Sequence, residues 1–357
     1  MRRNIAVVLF NLGGPESLSS VRSFLFNLFN DKHIIPLPQP LRFVVASMIS
    51  IFRNKKSQGI YAQIGGKSTI LAETQKQVSA LESYLNTHCS VNKTITYDVM
   101  PMMRYSHPNS KDVIKDIKNN HYTDIVLLPL YPQYSTTTTL STLRDWFKRT
   151  EPKNTSLVCC YPQNEGFIEA YADLLQITLA KIIDKKKTIR ILFSAHSIPQ
   201  YLVDNGDPYQ SHVNYSVRAI VKKLDLDNAE NMKYSICYQS KVGRMKWLEP
   251  DIKSEILAAG KRGEIIIVLP ISFTSEHSET LVELDIEYAN LAKEHSIEYH
   301  RVPTVSAHPI FIQTLASLTI NALGKGLKEH CQLGKYKNAD NEIVCLSEMC
   351  CKQVVIY

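Results

Sequence analysis

Glu279, Glu283 and Glu287 stand four residues apart in this chain, and His196 closes the apolar run Ile191-Leu192-Phe193-Ser194-Ala195. A spacing of four puts successive side chains on one face of a helix, so the glutamates form a row of carboxylates. Like charges so placed destabilise a helix by roughly 0.2–0.5 kcal/mol per pair. No lysine or arginine lies between Glu276 and Asn290 to relieve them. A cation would relieve them, and oxygen ligands in such a row can conduct a hard divalent metal or protons. Glu276 and His277 extend the row at its start. Leu281, Leu284, Tyr288 and Leu291 occupy the opposite side, so an amphipathic helix with a solvated acidic face also fits the spacing. A histidine at the end of a strand can be a metal ligand or a proton acceptor, or a hydrogen-bonded core residue.

The elements that must position these residues are strands buried on both faces. Four short apolar runs occur in each half of the chain. They are Ile5–Leu12, Thr94–Met100, Asp124–Leu130 and Ser156–Tyr161, then Ile189–Ser194, Tyr234–Tyr238, Glu264–Leu269 and Ile297–Val302. They are continuous rather than alternating, as the strands of a covered parallel sheet are. Segments of helical periodicity such as Ser110–Asn119 and Gly166–Asp184 separate them, which predicts right-handed strand–helix–strand units. The third runs, Ile125–Leu130 and Ile265–Pro270, resemble each other directly. We therefore expect an α/β protein of two similar Rossmann-like domains, each with a four-stranded parallel sheet. Residues 1–165 and 166–328 form the domains, and 329–357 form a cysteine-containing tail; Pro309–Leu323 is a final helix. A single larger sheet is the alternative. Ligands of open α/β sheets sit beyond the carboxyl ends of the strands. Asn11–Glu16, Arg104-Tyr105, Tyr131–Tyr134, Ser194–Ser197, Gln239–Lys241 and Thr274–Glu279 fall there, so the two domains would face each other across a cleft.

Composition narrows the class. Hydrophobic residues at 44% and charged residues at 21% are those of a folded globular protein. A net charge of +7 favours anionic partners such as phospholipid headgroups or a carboxylated substrate, and does not point to nucleic acid. Arg2 and Arg3 before Ile5–Phe10 mimic a signal peptide, but the run is too short and reads as a first strand. No apolar stretch reaches the ~20 residues of a spanning helix, so a cytoplasmic protein is expected, peripheral at most to the inner membrane. Pro36–Lys56 suits an interfacial helix or a lip over a flat apolar ligand, with Phe43, Val44, Val45, Met48, Ile49, Ile51 and Phe52 flanked by Arg42, Arg53, Lys55 and Lys56. A core helix fits its periodicity as well. Disulfides are not expected in a reducing compartment.

In their joint order, several motifs between Ile5 and Leu318 resemble the ferrochelatase family. They include Asn11-Leu12-Gly13-Gly14-Pro15, Met103-Arg104-Tyr105, Leu128–Ser135, Phe193–Pro199, Gly206–Tyr209, Tyr238–Gly243, Trp247-Leu248 and His277–Asp285. The resemblance implies a chelatase-like pair of Rossmann-like domains and a lyase that inserts ferrous iron into a porphyrin, the terminal step of haem biosynthesis. It implies that His196 and Glu279 are the catalytic pair at the metal-insertion site, with Glu283 and Glu287 continuing an acidic path. Leu12, Arg104, Tyr105, Tyr131, Ser135 and Trp247 match positions that line or support the porphyrin pocket, and Pro36–Phe52 the lip. His196, neutral at pH 7, would accept pyrrole protons. Iron and porphyrin are substrates, and no cofactor is required.

The sequence departs from the family in places. Leu12 replaces a methionine of animal members, and Ser68-Thr69 stands where Ser-Pro is common. Some members hold a two-iron two-sulfur cluster, but Thr136 stands at the internal cysteine of animal enzymes and Glu342 where another ligand would precede the tail pair. Cys331, Cys345, Cys350 and Cys351 remain as a candidate four-thiolate set, against free thiols in a tail. Another tetrapyrrole chelatase, taking coproporphyrin or a different metal, and a non-enzymatic haem or metal carrier are the competing functions. Oligomeric state is not legible.

Overall fold

A computed structural model describes residues 3–90, 94–151, 153–184, 186–243 and 245–325, and the backbone of 336–337 and 343–344. Two compact units divide the chain, one of residues 1–160 with 312–357 and one of residues 161–311. Their boundary falls between Cys160 and Tyr161, a few residues before the expected one. The four tail cysteines lie outside the described residues.

The first unit is built on β1 (Arg3–Asn11), β2 (Ile95–Met103), β3 (Asp124–Pro129) and β4 (Thr155–Leu157), in the sheet order β2-β1-β3-β4. All pairs are parallel; Val7 lies opposite Val99 on one side and Val126 on the other. Ile5 to Phe10 are all fully buried, which is why the run is apolar without alternation. α1 (Val21–Phe29), α2 (Gln39–Ala62) and α3 (Ile70–Tyr84) connect β1 to β2. α4 (Ser110–Asn120) connects β2 to β3, and its start is a capping box of Asn109 and Asp112. A five-residue π-helical turn, Thr136–Leu140, and α5 (Ser141–Phe147) lead on to β4. Trp146, Leu143 and Leu140 pack against Val8, Phe10 and Leu127 to form the core of this side.

The second unit repeats the plan. β5 (Ile189–His196), β6 (Met232–Gln239), β7 (Ile265–Pro270) and β8 (Tyr299–Arg301) form a parallel sheet in the order β6-β5-β7-β8. α6 (Glu165–Leu179) precedes β5; α7 (Gln200–Asp204) and α8 (Tyr209–Lys223) connect β5 to β6, and α9 (Ile252–Lys261) connects β6 to β7. A π-helix, Glu279–Tyr288, and α10 (Ala289–Glu294) lead from β7 to β8. The two sheets thus share one order, and each crossover from third to fourth strand contains π-winding. Leu284 and Ala292 of that crossover pack on Leu192, Ile256 and Val268. α11 (Pro309–Ala322) ends the described helices; its first three residues belong to the second unit and the rest to the first.

α2 departs from the core-helix alternative. It buries only a stripe of Ala46, Ser50, Ser57 and Tyr61. Its large apolar side chains point outward, Phe43 at 51% and Phe52 at 82% exposure, with Leu41, Val44, Met48 and Ile51 also exposed. The helix is held from α1 by Phe26, edge-on to Phe43 at 5.2 Å, and by Arg42, which donates to the Asn30 and Leu37 carbonyls. Among the described residues no helix is long and apolar enough to cross a membrane.

At the amino end of the second sheet, Arg190 forms a bidentate pair with Glu264 at 3.0 and 2.9 Å, and Arg262 adds a bond at 2.9 Å. Burial pushes the Glu264 carboxyl up, but the arginine hydrogen bonds and charges outweigh it and bring it down to about 2 from 4.5. A depressed carboxylate contributes stability that is present above pH 4.5 and lost as pH falls toward 2. Arg190→Gln is therefore expected to destabilise the fold by roughly 2–4 kcal/mol at pH 7, with the gap to wild type closing on acidification in urea melts. A gap independent of pH would show that the pair does not carry the effect.

Candidate active site

His196 ends β5 with its backbone N–H donating to Ser272 Oγ at 3.1 Å. Its ring nitrogen Nδ1 lies 2.8 Å from Glu279 Oε2, at the first residue of the π-helix. The His196 side chain keeps 39% of its surface exposed, and Nδ1 is the nitrogen turned to the carboxylate, so Nε2 is the one left to meet a substrate. His277 Nε2 lies 3.8 Å from the same Glu279 oxygen, while its Nδ1 is 3.0 Å from the Ser275 carbonyl. A carbonyl there fixes the proton on Nδ1. Glu279 is therefore flanked by two imidazoles.

Glu283 follows on the π-helix and is held by four donors. Gln239 Nε2 reaches Oε2 at 3.0 Å, the Ser240 N–H reaches Oε1 at 2.9 Å, Ser240 Oγ reaches Oε2 at 2.5 Å, and the Tyr288 hydroxyl reaches Oε1 at 3.1 Å. Gln239 is itself aimed by Ser194, whose hydroxyl donates to its Oε1 at 2.7 Å, and its amide also donates to the Glu279 carbonyl at 2.8 Å. β5 and β6 lie in register with His196 opposite Gln239, so one sheet edge presents both the histidine and the amide. Glu287 is exposed. Burial pushes the Glu279 carboxyl up, but the charge and hydrogen bond of His196 override it and hold it well below 4.5. Burial lowers the His196 ring, yet Glu279 raises it above 6.5 overall. Burial, and then the Glu279 charge, push Glu283 upward, against the pull of its donors. His196, expected to be neutral at pH 7, stands beside a carboxylate that shifts its ring toward the protonated form.

Glu276 does not continue the row. Its Oε1 accepts from Arg301 Nη1 at 2.6 Å and from the Thr304 N–H at 2.9 Å. The relief that the sequence withheld from this acidic stretch comes from β8, outside the window where a cation was sought. The wide π-winding, not an α-helix, carries Glu279 and Glu283; the spacing of four could not reveal it. Gln239 and Ser240 were placed at the strand end but given no role, and Tyr288 and Arg301 were missed as site residues. The one available signal was polar residues closing an apolar run at Gln239-Ser240.

Trp247 lies in the same unit. It forms an antiparallel bridge to Pro199, and the Leu248 N–H donates to the Ile198 carbonyl at 3.1 Å, so its loop is tied to the segment after His196. Its indole N–H is buried with no partner among the described residues.

The other expected pocket residues belong to the first unit. Arg104 donates to Asp31 at 2.6 Å and to Ser141 at 2.8 Å, and its guanidinium stacks on Tyr105 with 4.8 Å to the ring centroid. The Tyr105 hydroxyl donates to the same Asp31 oxygen at 2.9 Å, and Ser141 also bonds to it. Burial raises the Asp31 carboxyl, but Arg104 and these hydroxyls bring it below its ordinary value. Asp31, absent from the sequence reading, anchors the set. Leu12 packs on Val21, Phe24, Leu25, Tyr61 and Tyr105. Gly13 follows with φ +86°, and a Cβ there would meet Ser106 Oγ at 2.4 Å, so only glycine fits the turn. Ser135 is buried and caps the π-turn through the Thr137 N–H at 3.2 Å. Tyr131 stacks edge-on to Phe10 at 6.2 Å, with its hydroxyl buried and without a partner among the described residues.

Comparison with known proteins places the chain in a family and a fold. Residues 4–323 match the family model Ferrochelatase. The ferrochelatase of Rickettsia bellii is 47% identical over 325 residues, 91% of this chain and 88% of that protein. That of a Wolbachia from Drosophila simulans is 49% identical over 322 residues, 88% of this chain and 98% of that protein. Among solved structures, SirB from Bacillus subtilis with Fe3+ superposes with a TM-score of 0.52 at 11% identity, covering 90% of this chain and 96% of that one, a likeness of fold.

The His196–Glu279 pair contributes fully to stability between pH 4.5 and 6.5, the ordinary values of its two groups. The contribution is lost as pH falls through the depressed Glu279 value and as it rises through the raised His196 value. In the metal-free protein the His196 ring is expected to titrate above 6.5, and in Glu279→Gln at a lower pH than in wild type, since burial and the Glu283 charge stay and the Glu279 charge goes. Imidazole nitrogen shifts in NMR measure both midpoints; an unchanged midpoint in Glu279→Gln would refute the coupling.

Proposed function

The chain belongs to the ferrochelatase family, and from that premise we propose that it inserts ferrous iron into protoporphyrin IX through the His196–Glu279 pair. Iron enters, two pyrrole protons leave, and protohaem forms; the protein acts as a lyase. The observation that carries the residue assignment is the 2.8 Å contact between His196 Nδ1 and Glu279 Oε2 at the end of β5.

The pair sets the order of events. The Glu279 charge draws the His196 ring toward its protonated form, and any proton so held must leave before the ring can take one from a pyrrole. A dication approaching Glu279 makes that loss favourable, because it competes for the carboxylate and repels the ring charge. The freed Nε2 is then the base for the pyrrole N–H. Glu279, held ionised, offers the metal an oxygen ligand. Glu283, pushed toward its protonated form, is suited to receive the released proton and pass it to exposed Glu287. His277 Nε2 stands 3.8 Å from Glu279 on its second side. Arg104, Tyr105, Leu12 and Ser135 shape and stiffen the porphyrin wall of the first unit. The unpartnered Tyr131 hydroxyl and Trp247 N–H are donors for porphyrin or its bound water.

The exposed apolar face of α2, with Arg42, Arg53, Lys55 and Lys56 on the same helix, supports a peripheral seat on an anionic membrane or cover for the macrocycle.

Anaerobic incubation with protoporphyrin IX and Fe2+, or Zn2+ as a stable stand-in, tests the proposal through the porphyrin visible bands. Wild type is expected to turn over, and His196→Ala to lose about a hundredfold or more in kcat while still binding porphyrin. Activity of His196→Ala within about tenfold of wild type would remove its role as base. Tight binding without turnover in wild type, with coproporphyrin also tried, would make the protein a carrier.

A further inference from the structure

We propose that Arg301 and Tyr299, on the edge strand β8, are positioning residues for metal insertion: they hold the π-helix Glu279–Tyr288 in its wide winding and so set where its carboxylates stand. The proposal rests on the chelatase reading above. Residues two apart on a strand share a face, and these two side chains both reach the π-helix. The Tyr299 hydroxyl donates to the Leu284 carbonyl at 2.9 Å, a main-chain oxygen inside the π-stretch. Arg301 grips Asp285 with two parallel bonds, Nε to Oδ1 at 2.7 Å and Nη2 to Oδ2 at 2.5 Å. Its remaining nitrogen, Nη1, holds Glu276 at 2.6 Å.

One guanidinium thus ties a residue just before the π-helix to a residue well inside it. Glu279 and Glu283 lie between those two anchor points. The planar fork of arginine suits this double grip, and a lysine would keep the charge without the geometry. The need for such a grip is physical. π-winding is rare and usually limited to a single turn, whereas this helix runs for ten residues. Relaxation to ordinary i→i+4 winding would turn the helix face and carry Glu283 away from Ser240 and Gln239, and Glu279 away from His196. A half-buried ion network is weak evidence for added stability, but it can select one conformation among near alternatives. Neither Arg301 nor Tyr299 has a hydrogen bond to His196, Glu279 or Glu283, so their effect acts through the helix.

Steady-state Zn2+ insertion into protoporphyrin IX, both substrates varied, tests this in Arg301→Gln, Arg301→Lys, Tyr299→Phe and Arg190→Gln, with thermal melts of each. Arg190 serves as the control because it makes a comparable bidentate pair at the amino end of the same sheet, away from the helix. Arg301→Gln is expected to lower kcat by about tenfold to a hundredfold, the cost of misplacing reacting groups by around an ångström. Its KM for porphyrin should stay within about twofold of wild type, since the loss concerns the chemical step. Arg301→Lys should recover part of kcat, and Tyr299→Phe should lie between it and wild type. Arg190→Gln should lower Tm while kcat holds. An Arg301→Gln enzyme with wild-type kcat, or an Arg190→Gln enzyme that loses as much kcat at the same Tm, would overturn the positioning role. If Arg301→Gln does not fold, Tyr299→Phe decides, and unchanged kcat there has the same meaning. Absence of turnover in wild type would instead overturn the chelatase reading, and the positioning role with it.

Discussion

Carboxylates that share one face of a partly buried helix cannot all stay ionised without compensation, and the second unit is organised around that constraint. Glu279 is stabilised as an anion by the imidazole that β5 presents. Glu283 is supplied instead with neutral donors from Gln239, Ser240 and Tyr288, which cannot cancel the field of Glu279. The outcome is an asymmetric pair, one carboxylate firmly ionised and its neighbour drawn toward its acid form. Two chemically identical side chains are thus driven apart in acidity by their surroundings alone.

The repeated plan explains where this device could be built. Both sheets have the same strand order, and both cross from third to fourth strand through π-winding. In the first unit that winding is one short turn capped by Ser135, with threonines along it, and it leads directly to Ser141 on the Asp31–Arg104–Tyr105 network. In the second it is twice as long and carries acids. The same place in the plan thus carries neutral threonines in one unit and carboxylates in the other.

Much of the architecture was legible because the strands announce themselves. The fully buried run Ile5–Phe10 and its counterpart Ile265–Pro270 have no polar interruption, and the expected strands and helices match those found to within a few residues. Strands that end early lie at sheet edges: Ser156–Tyr161 was expected, but pairing stops at Leu157, and Ile297–Val302 narrows to Tyr299–Arg301. His196 and the glutamate spacing were visible as chemistry, whereas their charge states were not. The shift of a histidine cannot be read until its neighbour is known, and that neighbour is 83 positions away. Long-range partners account for the other gaps. Asp31 reaches Arg104 across 73 positions and Gln239 reaches Glu283 across 44, distances over which local pattern carries no information. Glu276 looked like part of the acidic row for the same reason, since its partner Arg301 comes from a later strand. π-winding escaped because it leaves the residue types of an ordinary amphipathic helix unchanged.

β8 also bears on how the molecule behaves in a crowded solution. A sheet edge is a template on which another chain can add, and long flat edges invite fibrils. Here the edge strand is three residues long. It offers an incoming strand too few free main-chain groups for a lasting ladder, and its Tyr299 and Arg301 side chains are already committed to the helix beside it. The brevity that leaves the strand little pairing of its own therefore also guards against edge-to-edge aggregation, so a variant that lengthened β8 would trade solubility for sheet.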